Sequence, residues 1–447
     1  MVVAVAVFAF TLALRVWGIS TRFLLLGDQM RDWDIALRPF WNLPLVGPPT
    51  HVHGYTIGPA FYWILWAIRV TVGPWLQNLP HAGGIGQALL QSAADSLLLI
   101  AIWRRLGSMW IALAVVIVEA TGPFDLSLAA TIWNPTMGSM LAKVTIALML
   151  LNWHRGPAAR AAVAFGVALM AVHAYTGAVY VMVAVFAAGL IDPWLAGDRR
   201  LLARNAIVIA AVVFALQVPY LAYRLMHPNE PAMSAVTGSV ADVVSGRAKL
   251  RLSESAAFYV KAVNGIEIEP WHVPFSGWIL LVAGVIVLLR YWRDTTLLLI
   301  TMVPAVMAIA GYAFFLSGLD VYYYLSLMPS AVLMVALALT APQPSPRIVH
   351  AVAIALTVGA IVIVPARWQH AMTLDQMPEY GAIVHASRVL VGRGMPIRAI
   401  RTEFKLPPTN DPEYIYGILG GQIDRASPWI ATIQLTGDVT YRKVDGL

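Results

Sequence analysis

The 447-residue chain contains no cysteine. A disulfide framework, a thiolate metal site and a cysteine nucleophile are therefore excluded. Charge is the second shortage: Asp, Glu, Lys and Arg make up 12% of the residues, against about 25% in ordinary soluble domains. Hydrophobic residues reach 59% and the mean hydropathy is +0.72, so the chain reads as an all-α polytopic membrane protein. The few charges carry a formal excess of +7. In a membrane protein that excess belongs to cytoplasmic loops and lipid headgroups, and nucleic acid is not an expected partner. Residues 1–20 lack a basic n-region and a clear small-residue cleavage site, so they read as a retained first span. Internal repeats and the paired broken helices of an inverted-repeat transporter are also absent.

What is present is a series of apolar runs. A spanning helix needs about 20 mainly apolar residues. The runs that qualify are 1–20, 85–103, 107–123, 135–153, 158–173, 176–195, 204–223, 273–291, 295–317, 321–340 and 348–366, about 11 spans in all. Basic clusters mark the cytoplasmic side: Arg104-Arg105, His154-Arg155 with Arg160, Arg199-Arg200 with Arg204, Arg290 with Arg293, and Arg347. Alternation between them predicts a cytoplasmic N-terminus and an extracytoplasmic C-terminus in the inner (cytoplasmic) membrane. It leaves residues 21–84 together in one outer loop. The apolar run 58–76 then reads as re-entrant or interfacial, which Arg69, Gly73-Pro74 and Pro80 fit. The alternative, that 58–76 spans, stays open.

Two further segments are less apolar. Residues 224–272 form a second outer loop. Residues 367–447 carry a helix near 378–391, a strand near 396–403, a helix near 411–420 and strands near 428–435 and 439–444. That order predicts a small α/β cap beside the 1–366 membrane module. Gly392-Arg393-Gly394 and Gly420-Gly421 read as turns.

The most informative stretch is 27–63. Asp28, Asp32 and Asp34 follow the first span directly, and lipid tolerates such a cluster only where it meets water or protein. On a helix, Asp28, Arg31 and Asp32 share one face, and Asp34 and Arg38 form a solvated i,i+4 pair. Asp28 is either a helix N-cap or a catalytic carboxylate. His51 and His53 have H-x-H spacing but no convincing third ligand, so a divalent metal is weakly supported and no cofactor is assigned. Tyr322 and Tyr323 fit an aromatic belt, with Asp320 beside them pointing toward substrate contact. Asp95 and Lys143 fall in mid-span and are expected to pair with each other, so that a charge swap restores folding lost in either single reversal.

Taken in order, Asp28-Gln29 after the first span, Gly47-Pro48-Pro49-Thr50, Gly58-Pro59-x-Phe61-Tyr62, Trp133-Asn134-Pro135, His173 and Asp320-x-Tyr322-Tyr323 resemble a known group. They look like bacterial relatives of the protein O-mannosyltransferase and aminoarabinose transferase group, glycosyltransferases of the GT-C fold. The resemblance covers most of residues 1–340. It implies an inverting transfer from a polyprenyl-phosphate sugar to an acceptor hydroxyl on a glycan, lipid or protein, on the outer face of the cytoplasmic membrane. It makes Asp28 the general base, supported by Asp32. Arg31, His51, His53, Tyr62, Asn134, His173, Asp320, Tyr322 and Tyr323 become substrate-binding candidates. The chain departs from the group at Gln29 and Asn134, where an acid is frequent, and both changes remove a carboxylate a metal would need. Rival readings are a transporter or lipid-linked sugar flippase, and an O-antigen polymerase or ligase, which relies instead on a large Arg-rich late loop.

Overall fold

The structure, a computed structural model, describes residues 1–50, 54–151, 158–228, 243–246, 249–264, 272–315, 318–340, 346–373, 377, 379–405 and 411–443. His51 and His53 lie outside the described residues. The first part of the chain forms α1 (Val2–Val16), α2 (Ile19–Arg22), α3 (Gly27–Leu37) and α4 (Ala60–Thr71). The bundle continues with α5 (Pro80–Leu106), α6 (Met109–Ala120), α7 (Pro123–Leu128), α8 (Asn134–Leu150), α9 (Ala158–Ala174), α10 (Val179–Leu195) and α11 (Arg199–Met226). It closes with α12 (Leu252–Asn264), α13 (His272–Tyr291), α14 (Thr295–Tyr312), α15 (Met328–Thr340), α16 (Pro346–Val362) and α17 (Val364–Ala371).

Each of the eleven apolar runs is mainly helix over its described residues, which does not by itself make eleven crossings. Among the described residues, seven helical stretches are long and apolar enough to cross a membrane; Ala60–Thr71, Met109–Ala120, Ala158–Ala174 and Ser276–Tyr291 are shorter apolar helices. The protein is a multi-pass membrane protein. Backbone polar groups have no partner in lipid, so each crossing segment satisfies its own by forming helix. Local signals fix the ends. Pro80 opens α5 and Gly107, in the left-handed conformation, closes it. The side chains of Ser108, Asp198 and Asp294 cap α6, α11 and α14. At that end of the bundle Arg105 pairs with Asp294.

The opposite end carries the first loop and the C-terminal α/β unit, and the two share one apolar core. Trp33, Phe61, Tyr62 and Leu65 from α3 and α4 pack with Tyr380, Ile383, Val384 and Ile415. The unit is α18 (Tyr380–Arg393), β1 (Ala399–Thr402), α19 (Pro412–Ile418), β2 (Trp429–Ile433) and β3 (Val439–Lys443). Its elements match the expected order. β1 runs parallel to β2 with α19 as the crossover, and β3 pairs antiparallel with β2. Polar ties join unit and loop: Tyr414 donates to the Met30 carbonyl at 3.0 Å, and His81 Nδ1 meets the Tyr380 hydroxyl at 3.0 Å. Between α4 and α5 the chain turns through Gln77 and Asn78, both at positive φ, and Trp33 Nε1 donates to the Asn78 carbonyl at 2.7 Å.

The expected Asp95–Lys143 pair is present, with Nζ 2.7 Å from Oδ1. It belongs to a larger cluster. Arg15 lies 2.7 Å from the second Asp95 oxygen and pairs with Asp125. Lys143 also lies 3.3 Å from Asp125 and 3.7 Å from Glu119. Five side chains from α1, α5, α6, α7 and α8 are thereby joined, none more than 8% exposed. Above them, Gln87 and Gln91 of α5 bond to Trp133 and Thr136 at the start of α8, which sets the relative height of the two helices.

Candidate active site

The first loop folds where its sequence provides the caps. The Gln29 side chain accepts from the Leu26 N–H at 3.0 Å, closing the first turn of α3. Capping therefore falls to Gln29, and Asp28 is left in the first turn with its side chain 64% exposed. One helical turn later, Arg31 reaches back to Asp28 at 2.7 Å and sideways to Asp32 at 2.9 Å. Asp32 is buried and also accepts from the Tyr62 hydroxyl at 3.1 Å. Burial pushes the Asp32 carboxyl above the ordinary carboxylate range, and hydrogen bonding and charge from Arg31 oppose that shift. The order Tyr62, Asp32, Arg31, Asp28 is a tether from the protein interior to its surface. Asp34 and Arg38 stand 3.4 Å apart and exposed, away from this line.

Asp28 and Arg31 line a cavity of about 650 Å³. Its walls come from distant parts of the chain: Pro49, Thr50 and Thr56 of the first loop, Trp133 and Asn134 at the start of α8, and Tyr175 and Tyr180 around the start of α10. Tyr312, Phe315, Tyr322 and Tyr323 complete it. Of the candidates named from sequence, Asp28, Arg31, Asn134, Tyr322 and Tyr323 thus come together. Asp32 and Tyr62 stand behind Arg31 and do not line the cavity. His173 is fully buried; its carbonyl accepts from the Thr56 hydroxyl at 2.8 Å and its Nε2 meets the Gln217 amide at 3.0 Å. It holds Gly47, Thr56 and Gly58 of the first loop and is not part of the cavity lining. Asp320 caps the 3-10 turn Val321–Leu327 and is likewise not part of the lining. Tyr175, Tyr180 and Tyr312 are lining residues that carry no signal in the sequence beyond being aromatic residues at span ends.

The anchor depends on two glycines. A Cβ on Gly58 would lie 2.2 Å from His173 Nδ1, and one on Gly47 would lie 1.9 Å from Thr56 Oγ1 and 2.7 Å from the Gly58 carbonyl oxygen. Gly47→Ala and Gly58→Ala should each lower stability by about 1–3 kcal/mol, the usual cost of overpacking. Thermal melts in detergent would show it; an unchanged melting temperature for both would mean the loop is not held this way.

Among the described residues no group of three or more His, Cys, Asp or Glu side chains is arranged to hold a metal. Arg31 already bridges Asp28 and Asp32, the position a shared divalent ion would need, so this donor set does not fit one.

No protein-family model matches the chain, and no curated protein matches it in sequence. Solved structures do. The chain is similar to ArnT from Cupriavidus metallidurans bound to undecaprenyl phosphate, with a TM-score of 0.52 at 13% identity over 95% of this chain and 86% of that one. The fold is GT-C. A second similarity is to the Archaeoglobus fulgidus oligosaccharyltransferase in complex with Zn and sulfate, with a TM-score of 0.50 at 14% identity over 86% of this chain. The chain spans 55% of that enzyme's length. Within the GT-C fold seen here, the cavity lies where the first loop meets the bundle.

Proposed function

We propose that the protein is a membrane glycosyltransferase that moves a sugar from a polyprenyl-phosphate carrier to an acceptor hydroxyl, with inversion at the anomeric carbon. The observation that carries this reading is an exposed carboxylate, Asp28, tethered on the wall of an aromatic-lined cavity in a GT-C fold. A neighbour in fold bound to undecaprenyl phosphate supports the choice of carrier.

Asp28 takes the proton of the acceptor hydroxyl as its oxygen attacks the anomeric carbon. The bond from that carbon to the phosphate oxygen breaks, and the electron pair leaves with polyprenyl phosphate. The products are a glycoside, polyprenyl phosphate and a protonated Asp28. Such base catalysis needs the carboxylate within hydrogen-bond reach of the hydroxyl, which the cavity wall permits. Arg31 orients Asp28 and offers positive charge to the departing phosphate. Asp32 and Tyr62 act through Arg31 as positioning residues. A panel of polyprenyl-phosphate sugars incubated with purified protein tests the reading. Consumption of one, with release of polyprenyl phosphate, is expected. Counterflow of intact carrier across proteoliposomes without transfer would replace it with a transporter.

The site is proposed to lie on the outer face of the cytoplasmic membrane, because the basic clusters alternate that way. The cysteine-free chain makes this simple to check. A single cysteine at Gln77 should react with an impermeant maleimide in intact cells, and one at Ala196 only after permeabilisation. Both positions are exposed. The reverse pattern would place the first loop inside.

A further inference from the structure

Asp28 lies on a short stretch of chain that the C-terminal α/β unit grips at both ends. Upstream, the Met377 N–H donates to the Arg22 carbonyl at 3.2 Å, and the Phe23 ring meets the Tyr380 ring edge-on with centroids 5.4 Å apart. Gly381 lets α18 come this near: a Cβ there would lie 3.0 Å from the Thr21 Cα. Downstream, the Tyr414 hydroxyl donates to the Met30 carbonyl at 3.0 Å. Between the two holds, residues 23–26 form no helix, and their buried members Phe23 and Leu25 join the core that contains Tyr380, Ile383 and Ile415. The helix that follows, α3, has 11 residues. Helices of that length are marginal alone and take their place from what they pack against. The bundle holds α3 through Tyr62 on Asp32 and through the Asn78 carbonyl on Trp33. Tyr414 adds the hold from the C-terminal unit, at Met30, about 200° round the helix from Asp28.

We propose that Tyr414 is a positioning residue for Asp28: through the Met30 carbonyl, the C-terminal α/β unit sets where α3 and its carboxylate stand on the cavity wall. The proposal rests on the transferase reading, with Asp28 as its base. Asp28 does not fix its own place, because its side chain is exposed and pairs with Arg31 of the same helix. The pair therefore moves with α3 as one body. Among the described residues none from the C-terminal unit lines the cavity, so the unit acts on the site through α3 and not on the substrate. Proton removal demands hydrogen-bond reach, and a misplacement of about 1 Å caused far from the chemistry can cost about a hundredfold in rate. A hold two residues from the base is close enough to govern that reach.

The test compares full-length wild type, Tyr414→Phe, Asp28→Asn and the double variant in nanodiscs. Phenylalanine keeps the ring in the shared core and removes the hydroxyl alone. Hydrogen exchange across α3 should quicken about fivefold, the worth of one hydrogen bond, while β1–β3 keep their rates and show the unit folded. Release of polyprenyl phosphate from the carrier that the wild type consumes should fall about three- to tenfold in kcat, at constant KM for that carrier. In the Asp28→Asn background the same substitution should cost nothing further, since no base is left to position. Arg388→Gln breaks another tie of the unit, to Gln77, outside the 22–30 stretch, and should change neither measurement. Unchanged α3 exchange or unchanged kcat in Tyr414→Phe overturns the proposal. Equal slowing with and without Asp28, or an equal loss in Arg388→Gln, overturns it too by marking mere scaffolding. If α3 exchange quickens yet the wild type consumes no carrier, the hold on α3 stands and the transferase reading falls.

Discussion

Asp28→Asn is expected to fold normally and to transfer sugar about 10²–10⁴-fold more slowly, the usual contribution of a positioned general base. The expectation separates chemistry from stability because the structure has separated them. Gln29, not Asp28, closes the first turn of α3, so the substitution leaves the cap intact. The Asp28–Arg31 pair is exposed at both ends, and such pairs are worth about 0–1 kcal/mol. Asparagine keeps an oxygen that accepts from Arg31, so the tether survives while the proton acceptor is lost. Single-turnover rates against a melting curve are the measurement. Loss of kcat with an unchanged melting temperature and unchanged donor binding is the predicted result. Wild-type turnover would remove Asp28 as the base. Asp32→Asn makes a useful contrast, since Asp32 does not reach the cavity and acts only by holding Arg31.

Lys143→Met should be the most destabilising single change. Lys143 meets Asp95, Asp125 and Glu119 in a site closed to water. Without it, three carboxylates face Arg15 alone, and breaking a buried ion pair from one side costs about 3–5 kcal/mol. Poor accumulation in membranes, or a large drop in melting temperature, is the readout. The structure also reverses the outcome expected from sequence for the charge swap. With Asp95 replaced by Lys and Lys143 by Asp, the new lysine would face Arg15, which now stands 2.7 Å from Asp95. The new aspartate would face Asp125 and Glu119. The double reversal should therefore be no more stable than either single one. Recovery of the wild-type melting temperature by the swap would show that Asp95 and Lys143 form an isolated pair.

The helices were legible because their causes are local. Run length alone places the helices in the sequence, and in the structure Pro80, Gly107, Ser108, Asp198 and Asp294 begin, close or cap their ends. The α/β elements of the tail were legible for the same reason. The shared face of Asp28, Arg31 and Asp32 follows from helical spacing alone. The charge cluster was only half legible. Asp95 and Lys143 stand out in mid-span, whereas Arg15, Glu119 and Asp125 sit at span ends, where a charge normally meets water and raises no question. His173 and Asp320 show the converse. Each is a polar residue at a span end in a motif; His173 turns inward to hold the first loop, and Asp320 stays exposed and caps the Val321–Leu327 turn.

Sequence by itself determined that this chain lives in a membrane, where its helices run, and which short acidic stretch interrupts them. Lipid forces every crossing segment to satisfy its own backbone, so that information must be written locally. The tertiary structure alone decided which side chains meet. The cavity draws on the first loop, α8, α10, α14 and the Val321–Leu327 turn, and the buried cluster on five helices. Contacts between such distant residues are set by packing and by buried charges finding partners, neither of which any single segment encodes.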